Sequence, residues 1–235
     1  MASQARPGPH VLEMTTLPTL ALTELPLLAT LPEDTLYRLR GFASRRSYEA
    51  GQVIALEGDV CQEALFVAKG LVRVRQLSLE GREHVLAYMG PGACLNLISA
   101  LDGGALPASL EAIEDTTVYA LPCGHVRDLM RESTDFSEAV ALQLAEENRR
   151  LSHMVRDLAL YSVRARLARF LLQHAEHVPP QQRWTQATIA ASIGTVRDVV
   201  GRSLRALSEE GIIRRERGRL RIVDRERLER AAHEE

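Results

Sequence analysis

At Pro122 the punctuation of this chain changes. From about residue 45 to 121 it is cut by Gly51, Gly58, Gly70, Gly81, Gly90 and Gly92. The pieces between, SYEAGQVIALEGD, ALFVAKGLVRVRQL and GREHVLAYMGPGA, are apolar runs or alternate apolar with polar. Glycines at this spacing make turns, and short runs of period two make strands. LEGR reads as a hairpin turn. From His125 to Tyr161, by contrast, there is neither Pro nor Gly, and helix formers dominate. The turns come too often for crossover helices, so the strands predict an antiparallel roll or barrel of jelly-roll type. The fold class is α+β, and 235 residues suffice for two separate cores.

Written as heptads, the helical stretch puts Leu144, Leu151 and Leu158 at one core position and Ala141, Asn148 and Val155 at the other. A narrow apolar seam interrupted by one Asn is the pattern of a helix that pairs with its own copy, the Asn fixing register and strand number. One helix packing on its own domain is the plainer alternative. A homodimer through Leu144, Asn148, Leu151, Val155 and Leu158 is expected.

Beyond residue 161 the pattern is three helices and a hairpin. VRARLARFLLQHAEHV is an amphipathic helix stopped by Pro179 and Pro180, and TQATIAASIG and TVRDVVGRSLRALSEEG are two helices joined at Gly194. IIRRERGRLRIV gives two short strands around Arg217-Gly218, with a charged helix behind them. In the helix after Gly194, Val196, Val200, Leu204 and Leu207 make one stripe for burial. Asp198, Arg202 and Arg205 make a separate face, with Arg197 beside it. Helix, glycine turn and a second helix with a polar tip is the arrangement of a helix-turn-helix.

The charges fit a polyanion. Residues 1–180 carry 17 basic and 22 acidic side chains, a balance of −5, whereas residues 181–235 carry 12 and 9, a balance of +3. Arginine's fork matches guanine O6 and N7, and a carboxylate accepts from cytosine N4, so Arg197, Asp198 and Arg202 are the candidate base readers, with Val199 and Arg205 beside them in the candidate DNA-binding surface. Arg214, Arg215, Arg217, Arg219 and Arg221 would neutralise phosphates. Thr185 and Gln186, opening the preceding helix, would meet a phosphate through helix N-terminal N–H groups. Two plainer readings compete: a solvated face with an Asp198–Arg202 ion pair, and a Thr195–Asp198 capping box. A winged domain binding protein instead of DNA is the alternative of another class.

Other classes find little support. The three cysteines, Cys61, Cys94 and Cys123, are odd in number and form no C-x-x-C, which points to a reduced, cytoplasmic setting. The richest apolar run, TTLPTLALTELPLLATLP, is broken by three prolines and carries Glu24, so no membrane span is expected; it reads as an arm leading into the first helix. No G-x-S-x-G, H-E-x-x-H or phosphate-binding glycine loop appears, and the roll offers only His84 and, just beyond it, His125 for a metal. Neither an enzyme nor a metal site is expected.

A glycine-punctuated roll, a long helix with a dimer seam and a winged helix-turn-helix together resemble the Crp/Fnr superfamily of bacterial transcription regulators. SYEAGQVIALEGD with ALFVAKGLVRV, and IAASIGTVRDVVGRSLRALSEEGII, carry the resemblance, which spans about residues 30 to 230. It implies an N-terminal arm over 1–30, a β-roll sensor-like domain over 31–127, a dimerisation helix over 128–161 and a winged helix-turn-helix over 162–235. It also implies a homodimer on a two-fold DNA operator, read by Arg197, Asp198 and Arg202. Contact with RNA polymerase follows, hence an activator, with the loop His177 to Gln182 as a candidate surface.

The effector cassette departs from the family pattern. Members that bind cyclic AMP hold its phosphate with an Arg-Ser pair and its ribose with a Glu. In GPGACLNLISALDGGALPASLEA those positions fall at Pro107-Ala108 and at Leu97. Between Glu83 and Val126 there is no Lys or Arg at all. A buried phosphate without a cation loses its charge-assisted bonds, so no cyclic nucleotide is expected. Cys94, Asn96, Leu97, Pro107 and Ala108 are the candidate pocket residues. Three scattered thiolates do not suit an Fe–S cluster. Haem held by His84, Cys94, His125 or Met89, and a thiol switch at Cys94 or Cys123, are the alternatives to a regulator competent without a small ligand.

Overall fold

The structure is a computed structural model and describes residues 19–174, 185–216 and 219–234. Two compact units form, dividing mainly between Leu160 and Tyr161.

The first unit opens with a turn of 3-10 helix at Leu22–Glu24 and helix α1 (Glu33–Arg40). Eight strands follow: β1 (Ser44–Tyr48), β2 (Val53–Ala55), β3 (Glu63–Lys69), β4 (Val72–Leu77), β5 (Glu83–Met89), β6 (Cys94–Leu95), β7 (Ser109–Ala112) and β8 (Thr116–Pro122), with helix α2 (Leu97–Asp102) between β6 and β7. They make two antiparallel sheets, β1-β8-β3-β6 and β2-β7-β4-β5, as a jelly-roll-like double layer. The LEGR turn joins β4 to β5, closed by the Ser78 N–H donating to the Arg82 carbonyl at 2.8 Å.

Strand β3 shows why its sequence is apolar throughout. Leu65 and Val67 face the space between the sheets, with Val72, Leu95, Leu110, Val118 and Ala120. Ala64 and Phe66 face the opposite way, into a second core. A strand buried on both faces shows no alternation. On β4 the alternation is plain, because Val72 and Val74 face inward while Arg73 and Arg75 share Glu83 and Glu111. Arg73 and Arg75 each stand 3.0 Å from the Glu111 carboxylate.

Gly70, between β3 and β4, sits at φ +94, and a Cβ there would lie 2.4 Å from the Thr116 hydroxyl and 2.6 Å from its Cα. Only glycine fits.

The second core joins the roll to its helices. Leu22, Leu25, Leu27, Leu28 and Leu31 lie in it with Phe66, Leu121, Val126, Leu129, Phe136 and Val140. Residues 20–31, expected as an arm, are thus core-forming over their leucines.

The stretch of helix formers from His125, with a dimerisation helix expected over 128–161, divides in two, α3 (Cys123–Glu132) and α4 (Thr134–Leu160). Ser133 between them is extended, at φ −123 and ψ 111. Its hydroxyl accepts from the Phe136 N–H at 3.2 Å, so an N-cap starts α4 where no Pro or Gly marks a boundary. On α4, Leu144 and Leu151 are half-buried, Ala141 and Asn148 are exposed, and Val155 and Leu158 are 65% and 42% exposed. The heptad positions therefore form a stripe along the helix that its own unit covers only in part.

Beyond Leu160 the chain forms α5 (Val163–His174), α6 (Gln186–Ile193), α7 (Arg197–Glu209), the antiparallel pair β9 (Ile213–Glu216) and β10 (Arg219–Ile222), and α8 (Arg225–Ala231); of these residues, Ala190–Val196 group with the first unit and the rest form the second. Arg164 on α5 binds the Glu210 carboxylate at 2.6 and 2.7 Å, and this pairing holds the Glu210 carboxyl below its ordinary range. Asp224 caps α8 by accepting from the Arg227 N–H at 3.0 Å. Among the described residues no helix is long and apolar enough to cross a membrane.

Phe136 is fully buried where α4 enters the second core. Phe136→Ala should cost about 3–5 kcal/mol of stability, the range for deleting a core aromatic ring, read as a lowered denaturant midpoint. A midpoint within error of wild type would contradict the packing described.

Candidate nucleic-acid interface

The α6–α7 pair is built by burial on one side and charge on the other. Ile189, Ala190, Ala191 and Ile193 on α6 are buried. Gly194 takes φ +66 and turns the chain, and the Thr195 N–H donates back to the Ala190 carbonyl at 2.9 Å. On α7, Val200 and Leu207 are fully buried and Leu204 partly so. Val196, expected in that stripe, is 46% exposed instead. It precedes the first helical residue, so the helical spacing that would carry it under the stripe does not yet apply.

Arg197, Asp198, Arg202 and Arg205 are all exposed, and Val199 is half-buried. Asp198 lies in the first turn of α7, where the helix dipole favours a carboxylate. Among the hydrogen bonds and ion pairs of the described residues there is no Asp198–Arg202 bridge and no Thr195–Asp198 cap, while the exposure of this face is common to a solvated face and to a DNA-reading one. Arg205 turns back on its own helix, its Nε donating to the Gly201 carbonyl at 3.3 Å. Arg197 and Arg202 enter no side-chain hydrogen bond or ion pair among the described residues.

Thr185 has a structural task. Its hydroxyl accepts from the Thr188 N–H at 3.1 Å and caps α6. It would therefore serve a phosphate through the helix terminus it organises. Gln186 lies across α7 at Gly201, its Oε1 3.4 Å from where a Cβ would stand. A glycine inside a helix costs about 1 kcal/mol relative to alanine. That anomaly is the sequence signal for a close approach here, and reading the helix by periodicity alone passes over it.

Between α7 and the β9–β10 wing runs an open groove of about 650 Å³, lined by Gln186, Arg197, Asp198, Arg202, Arg215 and Leu220 among others. The recognition tip and the wing thus flank one concavity. Of the wing arginines, Arg214 and Arg221 lie 3.8 and 3.3 Å from Glu216, whereas Arg215 enters no ion pair among the described residues. Arg217, the side chain of Arg219 and the loop His177 to Gln182 lie outside the described residues.

The candidate pocket residues of the roll differ in burial, Cys94, Leu97 and Ala108 being buried and Pro107 exposed. Cys94 and Leu97 belong to the core shared with α3 and α4, while Leu95 faces the roll interior. Burial pushes the Cys94 thiol upward. Asn96 is left-handed at φ 61 and precedes α2. Pro107 is exposed, its carbonyl accepting from Gln76 Nε2 at 2.8 Å, and Ala108 is buried. Of the haem candidates, His84 and Met89 sit on β5 and Cys94 on β6. His125 is on α3, stacked on Phe42 at 4.0 Å. Among the described residues no three His, Cys, Asp or Glu side chains gather to hold a metal.

Comparison with known proteins matches residues 45–133 to the cyclic nucleotide-binding domain and residues 165–231 to the Crp-like helix-turn-helix domain. The cyclic AMP receptor protein of Thermus thermophilus is 34% identical over 202 residues, covering 86% of this chain and 93% of that protein. A CRP-like cAMP-activated global transcriptional regulator of Mycobacterium tuberculosis is 28% identical, covering 79% and 86%. The crystal structure of a putative Crp/Fnr-family transcriptional regulator from Eubacterium rectale superposes with a TM-score of 0.75 at 24% identity, covering 88% of this chain and 97% of that one.

Thr185→Ala should lower stability by about 1 kcal/mol through loss of the α6 cap, and Thr185→Ser should restore most of it. Equal stability of all three proteins in urea unfolding would show that the hydroxyl caps nothing.

Proposed function

The chain belongs to the Crp/Fnr family of transcription regulators, and on that premise we propose that it works as a homodimer reading a two-fold DNA operator through Arg197, Asp198 and Arg202, without a cyclic nucleotide. The observation that carries this reading is the groove in which the exposed tip of α7 and Arg215 of the wing face the same space. Arginine forks at the helix tip suit guanine edges in a major groove, and a wing cation suits the adjoining phosphates. The stripe Leu144, Leu151, Val155 and Leu158 on α4, with exposed Asn148, supports pairing of two chains. A dimer of helix-turn-helix chains sets one recognition helix in each half-site, so that the symmetry of a palindromic operator mirrors that of the protein. Contact with RNA polymerase, activation and a cytoplasmic location complete the proposed role.

Independence from cyclic AMP separates this chain from what the names of its Thermus and Mycobacterium relatives say of them. The segment from Glu83 to Val126 contains no Lys or Arg. The nearby arginines of β4 are engaged, Arg73 with Glu83 and Glu111 at 3.3 and 3.0 Å, and Arg75 with Glu111 at 3.0 Å. Leu97 is buried in the core with Ala100 and Val126. A cyclic phosphate brought into this cassette would displace packed apolar side chains, and the segment itself offers no cation to pair with; the Arg127 guanidinium that reaches it from α3 already donates to the Ala100 carbonyl at 2.9 Å.

Two measurements check the DNA reading. Arg202→Ala should cost about 1–3 kcal/mol on the operator and relax preference at one base pair; an unchanged preference would remove Arg202 from base reading. Arg215→Ala should weaken every sequence alike and reduce the slope of log affinity against log salt by about one; a loss confined to one sequence would contradict the phosphate role. A wild-type affinity insensitive to salt would favour a protein-binding winged domain instead.

Calorimetric titration of the full chain with cyclic AMP should give no saturable heat, and operator affinity should stay the same with and without the nucleotide. Stoichiometric binding that strengthens operator affinity would overturn the ligand-independent reading.

A further inference from the structure

Two thiols far apart in the chain meet at one end of the roll. Strands β3 and β8 pair with Glu63 opposite Pro122, so the residues just outside that pair are brought together. The Cys123 N–H donates to the Gln62 carbonyl at 2.9 Å, and the Sγ atoms of Cys61 and Cys123 stand 3.5 Å apart. The site is held by further contacts. Cys61 Sγ is 3.5 Å from the Glu63 carbonyl and 3.8 Å from that of Asn96, and Cys123 Sγ is 3.6 Å from the Cys61 carbonyl. Cys61 is half-buried and reaches solvent, whereas Cys94 and Cys123 are buried.

From this juxtaposition we infer that Cys61 and Cys123 are a redox-active dithiol, which a small diffusible peroxide converts to an intramolecular disulfide. A covalent S–S bond is about 2.05 Å long, so the two sulfurs must approach by about 1.5 Å, a shift within reach of side-chain rotation and a small adjustment of the segment before β3. The steps balance. The Cys61 sulfur, as thiolate, attacks one peroxide oxygen; the O–O bond breaks, a hydroxide leaves and takes up the thiol proton as water, and Cys61 becomes a sulfenic acid. The Cys123 sulfur then attacks the Cys61 sulfur; the S–O bond breaks, the Cys123 proton goes with the departing oxygen as a second water, and the S–S bond forms. Two thiols lose two electrons and two protons, and one hydrogen peroxide becomes two waters.

The bond would tie the first residue of α3 to the segment entering β3. Because α3 packs in the same core as Phe136 and Val140 at the start of α4, oxidation acts on the base of the long helix. The surroundings make the reaction slow: burial and the neighbouring Cys123 push the Cys61 thiol up to about 12, so little thiolate exists at neutral pH. Its rate should climb roughly tenfold per pH unit below that value, in proportion to thiolate.

The experiment uses the reduced full-length chain, freed of reductant and exposed to hydrogen peroxide. Trypsin separates Cys61, on the peptide from Ser47 to Lys69, from Cys94 and Cys123, both on the peptide from Glu83 to Arg127. The expected result is an intact monomer lighter by about 2 Da, two hydrogens, with these two peptides cross-linked and both changes reversed by dithiothreitol. Cys94→Ser should keep the cross-link; Cys61→Ser and Cys123→Ser should each abolish it while retaining the wild-type circular dichroism. The proposal is overturned if peroxide leaves the mass unchanged, adds oxygen alone, joins separate chains, or yields a cross-link that survives Cys123→Ser. None of these readouts depends on DNA binding.

Discussion

Burial of Val200 and Leu207 on one side of α7 fixes what the other side can offer. These residues are fully buried, and at 3.6 residues per turn their burial forces Arg197, Asp198 and Arg202 outward. Rotating the helix by one residue would expose the valine and leucine and bring charge inward, and an unpaired buried charge costs several kcal/mol. The hydrophobic stripe therefore sets the direction of the arginines without any contact to them. The Thr185 cap and Gly194 set where α6 begins and ends, and so where the exposed tip of α7 begins. In this way packing in a small core becomes recognition geometry.

The roll unit obeys a related constraint. Strand β3 is buried on both faces, so it must satisfy two cores at once, one between the sheets and one shared with the N-terminal leucines, α3 and α4. This double burial accounts for the apolar cassette around α2. Residues Cys94, Leu97 and Ala100 fill the second core rather than lining a polar cavity. In the β2-β7-β4-β5 sheet the charges of β4 are balanced by Glu83 and Glu111 on the neighbouring strands. Ion pairs of this kind add little net stability, but they leave the arginines engaged.

How much of this was legible in the sequence depends on how local the cause is. The strands were legible because glycine turns are local, and the α6–α7 pair because amphipathic period and a glycine turn are local too. The break at Ser133 has no local mark, since it is made by an N-cap hydroxyl in a run with no Pro or Gly. Val196 shares the period of the buried stripe but stands one residue before the helix starts, where that period does not yet hold. Leucines 22 to 31 read as an arm because an apolar run does not reveal what it packs on. The approach of Cys61 to Cys123 depends on the pairing of β3 with β8, across 62 residues of sequence, which no spacing rule encodes. For the same reason the thiols looked scattered.

The proposed mode of regulation requires two copies of one exposed helix tip to engage successive major grooves of one duplex. The most direct test is selection of binding sites by the full chain from random double-stranded DNA, followed by sizing of the complex in solution. The expected result is two inverted half-sites with centres about one helical turn, 10–10.5 base pairs, apart, occupied by two chains, with affinity lost when half a turn of DNA is inserted between them. Recovery of a single asymmetric half-site bound by one chain, or tolerance of the half-turn insertion, would contradict it.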